Sequence, residues 1–160
     1  MLALGSFDGV LAVHSLSKRT NLAGYRAGFV AGDPALVQEL LAVRKHAGMM
    51  VPAPVQAAMI AALGDTAHVA EQRERYARRR DRLRAALQVA GFTIDHSEAG
   101  LYLWVTRGLD SWATVDWLAE RGILAAPGAF YGPAGERHVR LALTASDERI
   151  EAAAARLTGQ

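Results

Sequence analysis

The 160-residue chain contains no cysteine, only two lysines and no long hydrophobic run. The absence of cysteine excludes disulfides, thiolate metal sites and thiol catalysis. No apolar stretch approaches the roughly 20 residues that a membrane helix needs, and the chain does not open with the charged lead and apolar core of a secretory signal. The formal net charge of +2 is too small to indicate a polyanionic partner unless the charge is clustered. These absences favour a globular, cytoplasmic protein with no membrane partner.

The segments that are present alternate between strand-like and helix-like patterns. Short apolar runs rich in β-branched residues predict strands at 9–16, 25–31, 92–95, 101–106, 123–126 and 138–143. Helical periodicity, capping residues and glycine stops predict helices at 34–47, from Pro54 to 63, from Asp65 to Gly91, at 111–121 and at 146–157. The first strand is suited to burial on both faces. The helix before Leu63 is so apolar that it should be buried or packed on a partner.

This order predicts an α/β protein divided near the start of the long helix. Residues 1–64 would be the end of a larger sheet domain, and residues 65–160 a smaller α/β unit.

One lysine lies in the segment HSLSKRTNLAGYRAG, residues 14–28. A lysine after a strand is most often a solvated surface residue. Here Ser15 and Ser17 add hydroxyls, two glycines permit close backbone approach, and Arg26 adds a forked cation. Such a set can hold a phosphate group beside the amine of Lys18. It therefore suits a cofactor that carries both an aldehyde and a phosphate, because the amine can form a Schiff base with the aldehyde.

The stretch SLSKRTNLAGYRAG resembles the signature of class I/II (fold type I) aminotransferases. That signature has a serine, the Schiff-base lysine three residues later and a Gly-x-Arg whose arginine lies eight residues beyond the lysine. The resemblance implies pyridoxal 5'-phosphate (PLP) as cofactor, with Lys18 as the Schiff-base and proton-carrying residue. It also implies that Ser15, Ser17 and Arg26 bind the cofactor phosphate. Residues 1–64 would then end the large PLP-binding domain, and the protein would be a homodimer with shared active sites.

A second stretch, PGAFYGPAGERHVRLALT, is similar to the C-terminal part of the same family, and EAGLYLWV resembles the small-domain strand that precedes it. The resemblance implies that Arg140 binds the α-carboxylate of the amino acid and 2-oxo acid substrates through a bidentate pair. The segment at 25–58 more narrowly resembles N-succinyldiaminopimelate aminotransferases, which take the amino group from glutamate in lysine biosynthesis.

Family members are about twice this length or more, so the resemblance implies a C-terminal portion of an aminotransferase. Four groups would lie ahead of residue 1: the glycine-led helix start at the phosphate, an aromatic residue stacked on the pyridine ring, an asparagine, and the aspartate at the ring nitrogen. Asp8 and Asp33 stand in the wrong places to replace the aspartate.

Two other interpretations compete with this one. Seven arginines lie from Arg73 to Arg84, with Glu71, Glu74 and Asp81 as the nearby acids, which is a charge cluster that could bind nucleic acid. The one aromatic residue within the cluster, Tyr76, belongs to the apolar stripe of the helix, so the solvated face of a helix is favoured over a base-stacking surface. The chain could also be a non-catalytic orphan fragment or interaction module. The five histidines lack metal-ligand spacing, so no metal site is predicted.

Overall fold

The computed structural model describes residues 5–159 and divides into two compact units between Glu71 and Gln72. The first unit contains, in order, β1 (Leu11–Ser15), the single-turn α1 (Leu16–Arg19), a 3-10 turn (Ala23–Tyr25), β2 (Gly28–Gly32), α2 (Pro34–His46), α3 (Ala53–Gly64) and the start of α4 (Ala67–Val89). Strands β1 and β2 are antiparallel, with Leu11 opposite Gly32 and Ser15 opposite Gly28.

The carboxylates of Asp33 and Asp65 cap the helices that follow them, as the sequence predicts. The Asp33 carboxylate accepts hydrogen bonds from the backbone N–H of Ala35 and of Gly9, both at 2.8 Å. These bonds, the one from Gly9 first, hold the pKa of Asp33 below its usual value, because they stabilise the ionised carboxylate. The Asp65 carboxylate likewise accepts from the Ala67 N–H at 3.1 Å, so α4 begins where its cap predicts.

The first unit exposes apolar surface that the sequence predicts to be buried. Val13, in the middle of β1, is 81% exposed, although the run at 9–16 suits a strand covered on both faces. Helix α3 contains no buried residue, and its Ile60 is 73% exposed. The sequence pattern correctly gives these segments their strand and helix, but within residues 5–159 no residue of either element is fully buried.

The second unit is a four-stranded antiparallel sheet in the order β3-β4-β6-β5, and helices pack on the face that carries its buried residues. Its remaining elements are β3 (Thr93–Asp95), β4 (Tyr102–Thr106), α5 (Ser111–Ala119), β5 (Ala126–Pro127), two 3-10 turns (Gly128–Tyr131 and Pro133–Gly135), β6 (Val139–Ala142) and α6 (Asp147–Thr158). The core joins one sheet face to the three helices through residues that are at most 5% exposed: Leu83, Leu87, Leu103, Val105, Leu118, Val139, Leu141 and Ile150.

All six predicted strands are shorter than expected, and two of them begin three residues late. The strand expected at 25–31 begins only at Gly28, because residues 23–25 form a 3-10 turn and Arg26 adopts a left-handed conformation with φ of 50°. The strand expected at 123–126 is reduced to Ala126–Pro127. The predicted α/β class is confirmed.

Three arginines of the cluster on α4 make contacts inside the second unit. Arg79 pairs with Asp147 at 2.5 Å and Arg82 with Glu151 at 2.5 Å, while Arg80 donates to the Gly100 carbonyl at 2.6 Å. These contacts give part of the arginine cluster a structural role.

None of the helices within residues 5–159 has the length and apolarity that crossing a membrane requires.

Candidate active site

The strand pairing of the first unit closes the lysine segment into a loop. The Leu16 N–H donates to the Ala27 carbonyl at 3.3 Å, just beyond the pair formed by Ser15 and Gly28. Leu16 is fully buried and therefore anchors the loop, whereas Lys18, two residues later, is exposed. The sequence-predicted residues of this loop thus share one short connection between two paired strands.

The two serines and the lysine lie together around the single turn of α1. The Ser15 hydroxyl oxygen accepts from the Ser17 N–H at 3.2 Å, which caps the turn and leaves the Ser15 hydroxyl hydrogen free to donate. Ser17 is half-buried. Within residues 5–159 the Lys18 amine has no carboxylate within ion-pair distance. It is therefore available to a group from outside the described chain.

Arg26 closes the loop in a backbone conformation that residues other than glycine rarely adopt. Its backbone has φ of 50° and ψ of 45°, and its N–H donates to the Ala23 carbonyl at 3.3 Å. One guanidinium nitrogen, Nη1, donates to the same carbonyl at 3.1 Å. A left-handed residue that is not glycine costs on the order of 1 kcal/mol, and such strain is common where a side chain must be aimed at a ligand. The remaining N–H groups of the exposed guanidinium are free for an anion.

The two glycines of the motif have different roles. A Cβ on Gly28 would lie 2.7 Å from the His14 carbonyl oxygen, so the close approach of β1 requires glycine there. A Cβ on Gly24 would meet nothing within 4 Å. Within the described residues the close approach of another backbone segment is seen at Gly28, while close approach of a phosphate at Gly24 stays a prediction.

Arg140 lies in the second unit, on the face of the sheet opposite the core. Its guanidinium carbon lies 4.2 Å from the centroid of the Tyr102 ring and 5.2 Å from that of Tyr131. Within the described range 5–159 no carboxylate comes close enough to form an ion pair with it. An arginine held between aromatic faces and left without an acid is well prepared to bind a carboxylate.

The residues around Arg140 include several that sequence reasoning missed. Trp104 lies directly opposite Arg140 on the neighbouring strand, and His138 stacks on the Trp104 ring with centroids 5.2 Å apart. His138 Nε2 lies 2.8 Å from an oxygen of Asp95. The alternation of polar and apolar residues in YLWVT gave a signal, since it places Tyr102 and Trp104 on the same face of β4. Nowhere in residues 5–159 do three or more His, Asp or Glu side chains gather as metal ligands would.

The donor set of the lysine loop fits PLP in chemical terms. It combines one unpaired amine, two hydroxyls and a guanidinium with free N–H groups, which matches one aldehyde and one phosphate. Lys18 would hold the aldehyde end, while Ser15, Ser17 and Arg26 would hold the phosphate.

Comparison with known proteins decides the family. The family model described as aminotransferase class I and II matches residues 3–157, almost the whole chain. The chain belongs to this family. Its members depend on PLP, so the resemblance seen in the lysine motif is confirmed at the level of the family and its cofactor.

Individual relatives show how much of an aminotransferase is present. The chain is 70% identical over 154 residues to a 4-dedimethylamino-4-oxo-anhydrotetracycline transaminase from Streptomyces rimosus, covering 96% of this chain and 43% of the relative. It is 68% identical to a probable aminotransferase from Mycobacterium tuberculosis, covering 96% of this chain and 37% of the relative.

Among solved structures, a probable N-succinyldiaminopimelate aminotransferase from Thermus thermophilus matches with a TM-score of 0.80 and 30% identity, over 97% of this chain and 43% of that one. The chain thus spans about two fifths of the length of the relatives it matches.

Proposed function

We propose that the protein transfers an amino group between an amino acid and a 2-oxo acid with PLP as cofactor. The observation that carries the proposal is the lysine loop, in which the unpaired amine of Lys18 shares one short connection with the phosphate donors Ser15, Ser17 and Arg26. When bound, PLP supplies the aldehyde that reacts with amines and the ring that accepts the electrons released at the substrate Cα.

The chain's own residues contribute binding, orientation and proton transfer. The hydroxyls of Ser15 and Ser17 and the guanidinium of Arg26 bind the phosphate through charge-assisted hydrogen bonds. With PLP bound, the Lys18 amine would be the base that takes the proton from the substrate Cα and holds it on Nζ for return. The planar fork of Arg140 binds the substrate carboxylate at two points, which fixes the orientation of the Cα–H bond.

The part of the relatives that the chain represents is also proposed. The Schiff-base lysine motif and the carboxylate-binding arginine motif favour the C-terminal part, in which case further cofactor-binding groups come from residues outside this sequence. We expect a cytoplasmic homodimer, with residues 1–64 in the large PLP-binding domain and residues 65–160 in the small domain.

For the substrate, we propose N-succinyl-diaminopimelate with glutamate as amino donor, in lysine biosynthesis. The likeness of residues 25–58 to that group of enzymes supports it, as does the structural match to the Thermus protein of that probable function. The Streptomyces relative, at higher identity, is named for 4-dedimethylamino-4-oxo-anhydrotetracycline instead. Assays with both classes of amino acceptor discriminate between them.

The two lysines provide a direct test of the proposed cofactor site. Lys18 and Lys45 are both exposed, so each is accessible to an aldehyde in solution. After incubation with PLP and reduction with borohydride, peptide mass spectrometry should find the pyridoxyl group on Lys18. Lys18→Ala should abolish the label, and Lys45→Ala should retain it. Equal labelling of the two lysines would contradict the assignment of Lys18.

A second candidate function is a non-catalytic interaction module, favoured by the exposed apolar residues Val13 and Ile60. Light scattering distinguishes the cases, since a soluble dimer that takes up PLP supports an enzyme, whereas a chain soluble only with an added partner supports a module.

A further inference from the structure

A single row of side chains crosses the outer face of the sheet in the second unit. The registers place Asp95 on β3 opposite Trp104 on β4, and Trp104 opposite Arg140 on β6. The alternate residues Leu103, Val105, Val139 and Leu141 point to the core and are buried. His138 lies two residues before Arg140, so its side chain belongs to the same outer face. The row therefore places Asp95, Trp104, His138 and Arg140 side by side.

Contacts connect this row from one end to the other. The Asp95 carboxylate lies 2.8 Å from His138 Nε2. The His138 ring stacks on Trp104 almost in parallel, at an interplanar angle of 6°. Trp104 in turn meets the Tyr131 ring edge-to-face, with centroids 5.6 Å apart and an angle of 82°. Tyr131 is one of the two rings that lie against the Arg140 guanidinium.

The orientation of Arg140 depends on these rings. Within residues 5–159 no carboxylate pairs with it, so the faces of Tyr102 and Tyr131 are what hold the guanidinium. Tyr102 is fixed because it belongs to β4. Tyr131 belongs to a 3-10 turn and is 51% exposed, and its edge-to-face contact with Trp104 ties its ring to the sheet. Trp104 is itself held on its other side by His138, and His138 by Asp95.

We propose that Asp95 and His138 are positioning residues for Arg140, acting through Trp104 and Tyr131. The pair does not touch the substrate carboxylate. It fixes the tryptophan, which fixes the tyrosine that shapes the arginine site. The consequence for carboxylate binding rests on the proposed function of Arg140, whereas the positioning itself does not.

The test reads the Arg140 side chain directly in the ¹⁵N-labelled chain. The Arg140 Nε–H resonance, assigned by its loss in Arg140→Lys, should be displaced from the ordinary arginine position by the two tyrosine rings. Asp95→Ala should move it about halfway or more back to that position, because His138 loses its acceptor and the stack loosens. Asp95→Asn should largely restore it, since the amide oxygen still accepts from Nε2–H.

A matched control removes another arginine–carboxylate contact from the same unit. Glu151→Ala breaks the pair with Arg82 and should leave the Arg140 resonance in place. If Asp95→Ala fails to fold, His138→Phe provides the same test, since it keeps a ring against Trp104 but loses the bond to Asp95. In His138→Phe the Arg140 resonance should move in the same direction as in Asp95→Ala. An Arg140 resonance unchanged in Asp95→Ala, or in His138→Phe where that variant replaces it, overturns the inference.

Titration with L-glutamate separates the inference from the proposed function. If Arg140 binds carboxylates, glutamate should shift the Arg140 resonance, and Asp95→Ala should raise the dissociation constant for glutamate roughly threefold to tenfold. If the dissociation constant for glutamate is the same in Asp95→Ala as in the unaltered chain, the inferred consequence for carboxylate binding is overturned. If glutamate causes no shift while Asp95→Ala still moves the resonance, the positioning holds and the carboxylate role of Arg140 fails.

Discussion

Substituting alanine for Gly28 tests the strand pairing that holds the lysine loop. Gly28 lies opposite Ser15 in the β1–β2 ladder. An added Cβ would lie 2.7 Å from the His14 carbonyl oxygen and 3.4 Å from the Ser15 Cα. Both of these atoms belong to the backbone, so no side chain can rotate away. The two strands would have to separate to admit the methyl group.

The cost follows from this geometry. A methyl group forced against a backbone typically costs about 1–3 kcal/mol, because the surrounding structure must shift. Gly28 does not have a positive φ, so alanine adds no strain of its own there. Amide hydrogen exchange of β1 and β2 should therefore accelerate by a factor of roughly 5 to 150, since each 1.4 kcal/mol corresponds to a factor of ten. The same variant should also lower the yield of pyridoxyl-labelled Lys18.

Gly24 provides the matched control. Its Cβ would meet nothing within 4 Å and its φ is not positive, so Gly24→Ala should leave exchange unchanged or slow it slightly. Equal acceleration in the two variants would refute the argument that Gly28 serves the strand pairing, as would unchanged exchange in Gly28→Ala.

Three further predictions concern the rest of the chain. The pKa of Asp33 is lowered in the folded protein by the hydrogen bonds from the N–H groups of Gly9 and Ala35. Its contribution to stability is therefore present above the unfolded pKa near 3.9 and is lost as the pH falls through the folded pKa. Asp33→Asn should flatten the decline of the melting temperature between pH 5 and the acid limit of about 2. Leu118 is fully buried, so Leu118→Ala should lower the free energy of unfolding of the second unit by about 2–5 kcal/mol in urea titrations. As the control for that variant, Leu124→Ala, at a side chain that is 92% exposed, should change the free energy of unfolding by less than about 0.5 kcal/mol. Arg140→Lys should weaken glutamate binding to the chain about tenfold by calorimetry, because an ammonium cannot form the bidentate pair.

The parts of the fold that the sequence predicted well are controlled locally. Asp33 caps α2 and Asp65 caps α4 through their own neighbouring N–H groups. Gly48 and Gly91, both with positive φ, follow the ends of the two helices. Each of these signals involves residues within a few positions of one another, so it can be recognised without knowing the tertiary structure.

Exposure could not be predicted in the same way. The apolar run that forms β1 suits burial on both faces, yet Val13 is 81% exposed, and within residues 5–159 β1 belongs to a sheet of only two strands. Composition shows that a face prefers burial, but it does not show what covers the face. Burial depends on contacts with distant or separate segments, which a pattern along one strand does not contain.

The candidate site shows the same difference. The lysine loop was found because Ser15, Lys18 and Arg26 lie within twelve residues of one another on one connection. The surroundings of Arg140 were missed because Asp95 and His138, which meet at 2.8 Å, are 43 positions apart. Only the register of β3, β4 and β6 brings them together.

That register also couples the stability of the second unit to its site. Strand β4 gives Leu103 and Val105 to the core, and Tyr102 and Trp104 to the face that carries Arg140. Because successive side chains point to opposite faces, a slip of one residue would turn Trp104 inward and place Leu103 beside the arginine. Burial of the two aliphatic side chains, at about 1.5–3 kcal/mol each, therefore also selects the register that assembles the aromatic surroundings of Arg140. The hydrophobic core thus fixes which face carries Tyr102 and Trp104, and the contact of Asp95 with His138 and the stacking of His138 on Trp104 are added on that face.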